Sequence, residues 1–132
     1  MSQENVELVK RAVEAVNQRD IEGYLACCTD DVQLVTPVAE VAGAYDGPDG
    51  IGRFFTDIGD AAPDFKIVIE SLEAVGPNRV LGFMRVLGTG RASGIPIENP
   101  TGNVYEFADG RIQRIMIFFD RNQALEAAGL SE

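Results

Sequence analysis

Between Val6 and Ile58 the apolar residues of this chain recur mostly at helical spacing, and from Asp64 onward they alternate with polar ones. Val6, Val9, Val13 and Val16, joined by Ala12, form one stripe, with Glu4, Glu7, Lys10, Arg11 and Glu14 outside it. That pattern predicts an amphipathic first helix with Ser2 as its N-cap. Asp20 is placed to cap a second, short helix whose Ile21, Tyr24, Leu25 and Cys28 share a face, ending near Thr29-Asp30-Asp31. Val32 to Thr36 reads as a strand stopped by Pro37, with Val32, Leu34 and Thr36 on one side. Positions 38–50 mix Ala, Gly, Asp and Pro and read as a loop. After Asp49, the spacing of Ile51, Phe54, Phe55 and Ile58 predicts a third helix, ended by the stretch from Gly59 to Pro63.

Phe65, Ile67 and Ile69 alternate with Lys66, Val68 and Glu70, and Gly76-Pro77-Asn78 turns the chain into a second strand from Val80 to Leu87. Gly88, Gly90 and Gly94 interrupt the next stretch, which predicts a bulge or connection before Ile95-Pro96-Ile97 re-enters the sheet. Ala108-Asp109-Gly110 is a tight-turn signal between apolar strands, so 102–118 reads as a hairpin. Numbered outward from the turn, an unbroken ladder pairs Phe107 with Ile112, Tyr105 with Arg114 and Asn103 with Met116. It puts Gly102, Val104 and Glu106 on one face with Gln113, Ile115 and Ile117. The last strand is then apolar on both sides: Met116 and Phe118 on one, Ile115, Ile117 and Phe119 on the other. Two burial partners are required, the molecule's own helices and either a second subunit or the C-terminal segment. Gln123 to Ala128 predicts a short final helix ended by Gly129, with Asp120 as its cap.

Three helices beside an antiparallel sheet make an α+β layer with space between helix and sheet. With 132 residues, 45% hydrophobic and 24% charged, the chain suits one domain with a sizeable core, 1–132. No run approaches the roughly 20 apolar residues of a membrane helix, and the polar Met-Ser-Gln-Glu-Asn-Val start lacks signal-peptide character, so a cytoplasmic location is expected. A net charge of −10, from eleven basic and twenty-one acidic residues, argues against nucleic acid as a partner. Histidine is absent, which removes imidazole bases, Ser-His and Cys-His pairs and histidine metal ligands. Cys27 and Cys28 are adjacent, match no zinc spacing and read as half-buried small hydrophobes on a helix. The glycines at 47, 50 and 52 and at 88, 90 and 94 lack the strand-turn-helix context of a phosphate loop, and Asp46 and Asp49 lack the rest of a calcium loop. No cofactor or metal is expected.

Several segments resemble the SnoaL-like branch of the nuclear-transport-factor-2-like superfamily: Gln3-Glu4-Asn5-Val6 opening the first helix, Asn17-Gln18-Arg19-Asp20 between helices, Asp30-Asp31-Val32 before the first strand, and Asp109-Gly110-Arg111-Ile112 through Phe119-Asp120-Arg121 to Ala124-Leu125-Glu126-Ala127-Ala128-Gly129-Leu130. Each piece is weak alone, and their order carries the resemblance. It implies a cone-shaped, curved antiparallel or mixed sheet wrapped around three helices of the N-terminal half, with an internal pocket. It also implies frequent dimerisation through the outer sheet face, which the apolar Met116 and Phe118 would serve here. Enzymes of the superfamily include polyketide cyclases, limonene epoxide hydrolase and ketosteroid isomerase, which place carboxylates in the cavity.

Those carboxylates are missing at the matching positions. The acid that the cyclases and the epoxide hydrolase carry seven residues after the hairpin glycine falls on Ile117, and the hydrolase's Arg-x-Asp pair falls on Met84 and Val86. The isomerase's tyrosine and two acids fall near Ala12, Thr36 and Pro100. What remains is a predicted apolar pocket of Val13, Val16, Leu34, Phe55, Met84, Val86, Val104, Ile115, Ile117 and Phe119, with Tyr24 and Thr36 as polar anchors. The expected function is binding of a small, largely apolar molecule. Two alternatives stand beside it: a cofactor-independent cyclase, isomerase or hydrolase using Glu106 or a water held by Thr36 and Tyr24, and a dimeric structural module with a filled core. Arg85 is expected outside the pocket, paired with Glu98 or Glu70.

Overall fold

The structure, a computed structural model, describes residues 2–36 and 44–130. The chain runs α1 (Ser2–Gln18), α2 (Ile21–Ala26), β1 (Cys28–Val35), β2 (Tyr45–Asp46), α3 (Gly47–Ala61), β3 (Lys66–Ala74), β4 (Arg79–Thr89), β5 (Pro96–Ala108), β6 (Arg111–Phe118) and α4 (Arg121–Ala127). Pro37 and positions 38–43 of the loop expected over 38–50 lie outside the described residues. The final residues of that span depart from expectation, since Tyr45 and Asp46 form a short strand and α3 opens at Gly47, with Pro48 in its first turn. Cys28 and the acids after it belong to β1 rather than to the second helix, which ends at Ala26. Asp20 caps α2 by accepting from the Gly23 amide at 2.9 Å, and Asp120 caps α4 by accepting from the Asn122 amide at 2.8 Å.

The strands form one open, curved, mixed sheet in the order β2-β1-β6-β5-β4-β3, with β1 parallel to β6 and the other neighbours antiparallel. The apolar stripes of α1, α2 and α3 close onto its inner face, and Val9, Val32, Ile51, Val80, Met84 and Ile112 are wholly buried there. The links between α1 and its surroundings explain the Asn17-Gln18-Arg19-Asp20 segment. Asn17 Nδ2 donates to the Ile67 carbonyl at 2.9 Å while its Oδ1 accepts from the Ile67 amide at 2.8 Å, so the outer edge of β3 is capped by a side chain. Arg19, at φ 58, turns the chain and donates to the carbonyls of Val16 at 2.7 Å and Phe65 at 2.8 Å. Arg91, the second residue of the β4–β5 connection, donates to the carbonyls of Gly59 at 3.2 Å and Asp60 at 3.1 Å, where the last turn of α3 carries unpaired acceptors.

The β5–β6 hairpin departs from the expected ladder. Asp109 (φ 54) and Gly110 (φ 77) make the predicted turn, and Phe107 pairs with Ile112. Beyond that pair a bulge intervenes, and Glu106 lies opposite Arg114, Tyr105 opposite Ile115, and Asn103 opposite Ile117. Gln113 is the residue left over. One extra residue reverses the parity of everything beyond it, so Tyr105 and Asn103 face the helices, and Gly102, Val104 and Glu106 face outward.

The outer face is covered by α4. Leu81, Val104, Ala124 and Ala128 form a second buried cluster, with Phe83, Met116, Phe118 and Leu125 packed around it. A Cβ on Gly102 would lie 2.5 Å from the Ala124 Cβ, so this glycine is what lets helix and strand approach. Arg121 fastens the helix by donating to the carbonyls of Thr101 at 3.3 Å and Met84 at 3.0 Å, pairing with Glu70, and lying 4.8 Å over the Phe83 ring. Arg85 holds Glu70 at 3.1 Å and Glu98 at 3.6 Å outside the core, as its spacing implied. The second burial partner of β6 is thus the C-terminal segment, one of the two anticipated, and the Met116–Phe118 face that motivated a homodimer is already occupied in part by the chain itself.

Candidate functional site

Between sheet and helices lies a cavity of about 20 Å³, room for about one water molecule. Val13 and Val16 from α1, Tyr24 from α2, Leu34 from β1, Phe54 from α3, Ile67 from β3, Asn103 and Tyr105 from β5, and Ile115 and Ile117 from β6 form its walls. Helical spacing aims the valines inward, and strand alternation does the same for Leu34, Ile115 and Ile117.

The other expected pocket residues are placed differently. Met84 is fully buried beside the wall, its sulfur 3.5 Å from Asn103 Nδ2. Phe55 packs edge-on against Tyr24 with ring centroids 5.5 Å apart, while its neighbour Phe54 supplies the wall. Val86 pairs with Ile67 across the β3–β4 ladder and is only half-buried, and Thr36, one residue beyond β1, is half-buried too; neither lines the cavity. Val104 is a correction: the bulge at Gln113 turns it onto the outer face beneath α4. Phe119 is another, since the strand ends at Phe118 and Phe119 is 55% exposed. Glu106, the one candidate base, also lies on the outer face, 3.3 Å from Arg79 Nε, and Gln113 is exposed, donating to Asp31 at 3.3 Å.

Asn103 and Tyr105 take the polar positions that the unbroken ladder had turned away. Asn103 is 4% exposed; its Nδ2 donates to the Tyr105 hydroxyl at 3.4 Å and points at the Met84 sulfur, but its Oδ1 is buried without a hydrogen-bond partner. Thr101, two residues along the same strand face, has a buried hydroxyl in the same condition. A signal for this arrangement was present in Gly102: a glycine inside a strand marks close approach of another backbone, which would have assigned its face, and Val104 with it, to a covering helix.

Burial raises the Tyr24 hydroxyl well above its ordinary pKa, helped by the neighbouring Tyr105, and pushes Tyr105 up to about 12 against the lowering effect of its Asn103 bond. Both stay protonated and neutral across physiological pH. Cys28 is pushed up to about 12 by burial, and Cys27 is raised by the same cause, so both are unreactive small side chains rather than nucleophiles. Among the described residues no carboxylate, lysine or arginine lines the cavity, and no cluster of His, Cys, Asp or Glu could hold a metal ion. The site can bury hydrocarbon and offer hydroxyl and amide hydrogen bonds; its described wall residues include no group that exchanges protons near neutrality.

A larger hollow of about 660 Å³ lies on the outer face between Asp31, Gln33, Asp46, Gly47, Glu106, Gln113 and Arg114. It is an open groove in solvated charged surface. The enclosed cavity, with its partnerless buried amide, is the stronger site.

Comparison with known proteins agrees with this architecture. No curated protein matches the sequence. Among solved structures, the chain is similar to a nuclear-transport-factor-2-like protein of unknown function from Burkholderia pseudomallei, with 20% identity, TM-score 0.79 and coverage of 93% of this chain and 95% of that one. It is also similar to a putative SnoaL-like polyketide cyclase from Jannaschia (18%, 0.78, 99% and 94%). A Mycobacterium tuberculosis protein in complex with estradiol-17β-hemisuccinate shares the fold as well (18%, 0.75, 89% and 94%). At these identities the likeness is one of fold. No helix among the described residues is long and apolar enough to cross a membrane. The family model for the SnoaL-like domain matches residues 9–115, covering most of both layers and the cavity between them, and the chain belongs to the SnoaL-like domain family.

Proposed function

We propose that this protein binds a small, largely apolar molecule in the cavity between α1, α3 and the inner sheet face. The observation that carries the reading is Asn103: a buried amide oxygen without a partner, set in a wall otherwise made almost entirely of hydrocarbon. Such a group costs about 1–3 kcal/mol unless something meets it, and a ligand with an apolar body and one polar end would meet it. The complex of the Mycobacterium tuberculosis fold relative with a steroid ester supports this class of ligand.

The cavity is far below the roughly 300–1,000 Å³ of ordinary ligand pockets. Entry therefore requires the half-buried Ile67 and Ile117 to swing outward from the rim. Binding rather than catalysis is the preferred reading, because the acid implied by the family resemblance, seven residues after the hairpin glycine, falls on Ile117 in the cavity wall, and Glu106 is on the far side of the sheet, paired with Arg79. The test is a titration with N-phenyl-1-naphthylamine, a neutral apolar dye whose emission rises out of water. Saturable binding at one site per chain is expected, and absence of saturable binding removes the reading.

A further inference from the structure

We propose that the ligand, on the binding reading above, is a neutral alcohol or phenol whose O–H donates to Asn103 Oδ1, and that this bond selects it over the corresponding ether or carboxylate. Asn103 has two polar ends, and the structure commits one of them. Nδ2 is directed at the Tyr105 hydroxyl, 3.4 Å away, and at the Met84 sulfur, 3.5 Å away, which leaves Oδ1 as the end that is buried and unmet. An amide oxygen only accepts. The group that completes it must therefore carry a hydrogen.

The amide is also held in place. Asn103 lies in β5, laddered to Gly82 on one side and Ile117 on the other, and its buried amide is oriented by the Nδ2 contacts to the Tyr105 hydroxyl and the Met84 sulfur. A hydroxyl in front of it is completed at both ends once the Tyr105 O–H, which here points at the Met84 sulfur 4.0 Å away and lies beside the amide, turns from that weak acceptor to the ligand oxygen. An ether of the same shape brings no hydrogen and leaves Oδ1 desolvated and unpaired. A carboxylate brings negative charge against an acceptor, into walls whose described residues include no lysine or arginine, in a chain of net charge −10.

The experiment compares three probes of one shape on the full chain at pH 7: 2-naphthol, 2-methoxynaphthalene and 2-naphthoate, with dissociation constants read by fluorescence or ligand-observed NMR. One neutral hydrogen bond corresponds to about five- to tenfold tighter binding of 2-naphthol than of the ether, with 2-naphthoate the weakest of the three. Asn103→Leu should bring naphthol and ether to equal affinity by weakening the first and strengthening the second. In the wild-type protein, which needs no variant to fold, equal or tighter binding of the ether, or tightest binding of the naphthoate, overturns the proposal. If the ether and N-phenyl-1-naphthylamine bind but naphthol has no advantage, only the hydroxyl selection falls. If neither the three probes nor the dye binds, the binding function falls and takes the selection with it.

Discussion

Asn103 and Tyr105 lie two residues apart on the inner face of β5, joined by a 3.4 Å hydrogen bond from the amide nitrogen to the hydroxyl, in a wall whose other members, Tyr24 apart, are hydrocarbon. Retaining a buried amide half satisfied lowers stability, so a shape-matched apolar side chain should fold at least as well. Asn103→Leu is expected to leave urea-unfolding stability within about 1 kcal/mol of wild type or to raise it. A loss beyond about 2 kcal/mol would mean that the amide is structurally satisfied in solution.

Ile117 is a half-buried member of the cavity wall. Replacing it with tryptophan fills a space that holds about one water and obstructs the entry proposed above. Ile117→Trp should bind N-phenyl-1-naphthylamine at least tenfold more weakly, with the protein still folded by circular dichroism. Unchanged dye affinity would place the dye elsewhere, with the open outer groove near Arg114 the first alternative.

The Asn17 side chain makes two hydrogen bonds to the main chain of Ile67 at the sheet edge. Asn17→Ala leaves both main-chain groups without their partner and should lower stability by about 1–3 kcal/mol. Hydrogen exchange offers a local check, because the Ile67 amide should lose protection while the amides of β5 keep theirs. Equal protection in both proteins would show that the clamp contributes little.

Gly102 leaves room for α4. Valine there would set its first side-chain atom 2.5 Å from the Ala124 Cβ, too close for any contact, and would lift the helix from Val104 and Met116. Gly102→Val is expected to expose this apolar face, read as self-association in light scattering together with loss of exchange protection in α4. A monomeric variant with α4 still protected would show that the helix adjusts without detaching.

The buried acids of the core predict the alkaline limit. Burial pushes Tyr105 from its ordinary 10.0 up to about 12, and Cys28 from its ordinary 9.0 up to about 12 as well. The unfolded chain loses these protons first, so the folded state holds more of them between pH 9 and pH 12, and stability must fall as pH rises through that window. Below it their contribution is fully present. Each group adds a slope of at most about 1.4 kcal/mol per pH unit, and Tyr105→Phe should flatten the upper part of a denaturant-midpoint curve against pH. A wild-type midpoint that holds level up to pH 12 would show that neither group is buried in solution.

The elements themselves were legible in the chain, because local rules govern them. The valine stripe of α1, the Asp20 and Asp120 caps, the Asp109-Gly110 turn and the alternation of β3 and β4 act over a few residues and survive in the tertiary structure. The pairing of Arg85 with Glu70 and Glu98 was legible for a related reason: once a strand's parity is right, neighbours across the ladder follow.

What the sequence could not decide was which face of β5 is the inner one. Alternation distinguishes two sets of side chains, Asn103 with Tyr105 and Gly102 with Val104, but only pairing with β6 assigns them. The single residue Gln113, left out of the ladder, exchanged the two sets. That exchange moved Val104 and Glu106 out of the site and brought a partnerless amide into it. The same limit held for β6, whose two apolar faces called for two covers without naming them, until Arg121 and the clearance at Gly102 brought α4 back across the sheet. The chain alone determined its helices, turns, caps and the absence of imidazole; the ladder, a relation between distant segments, decided which side chains meet in the cavity.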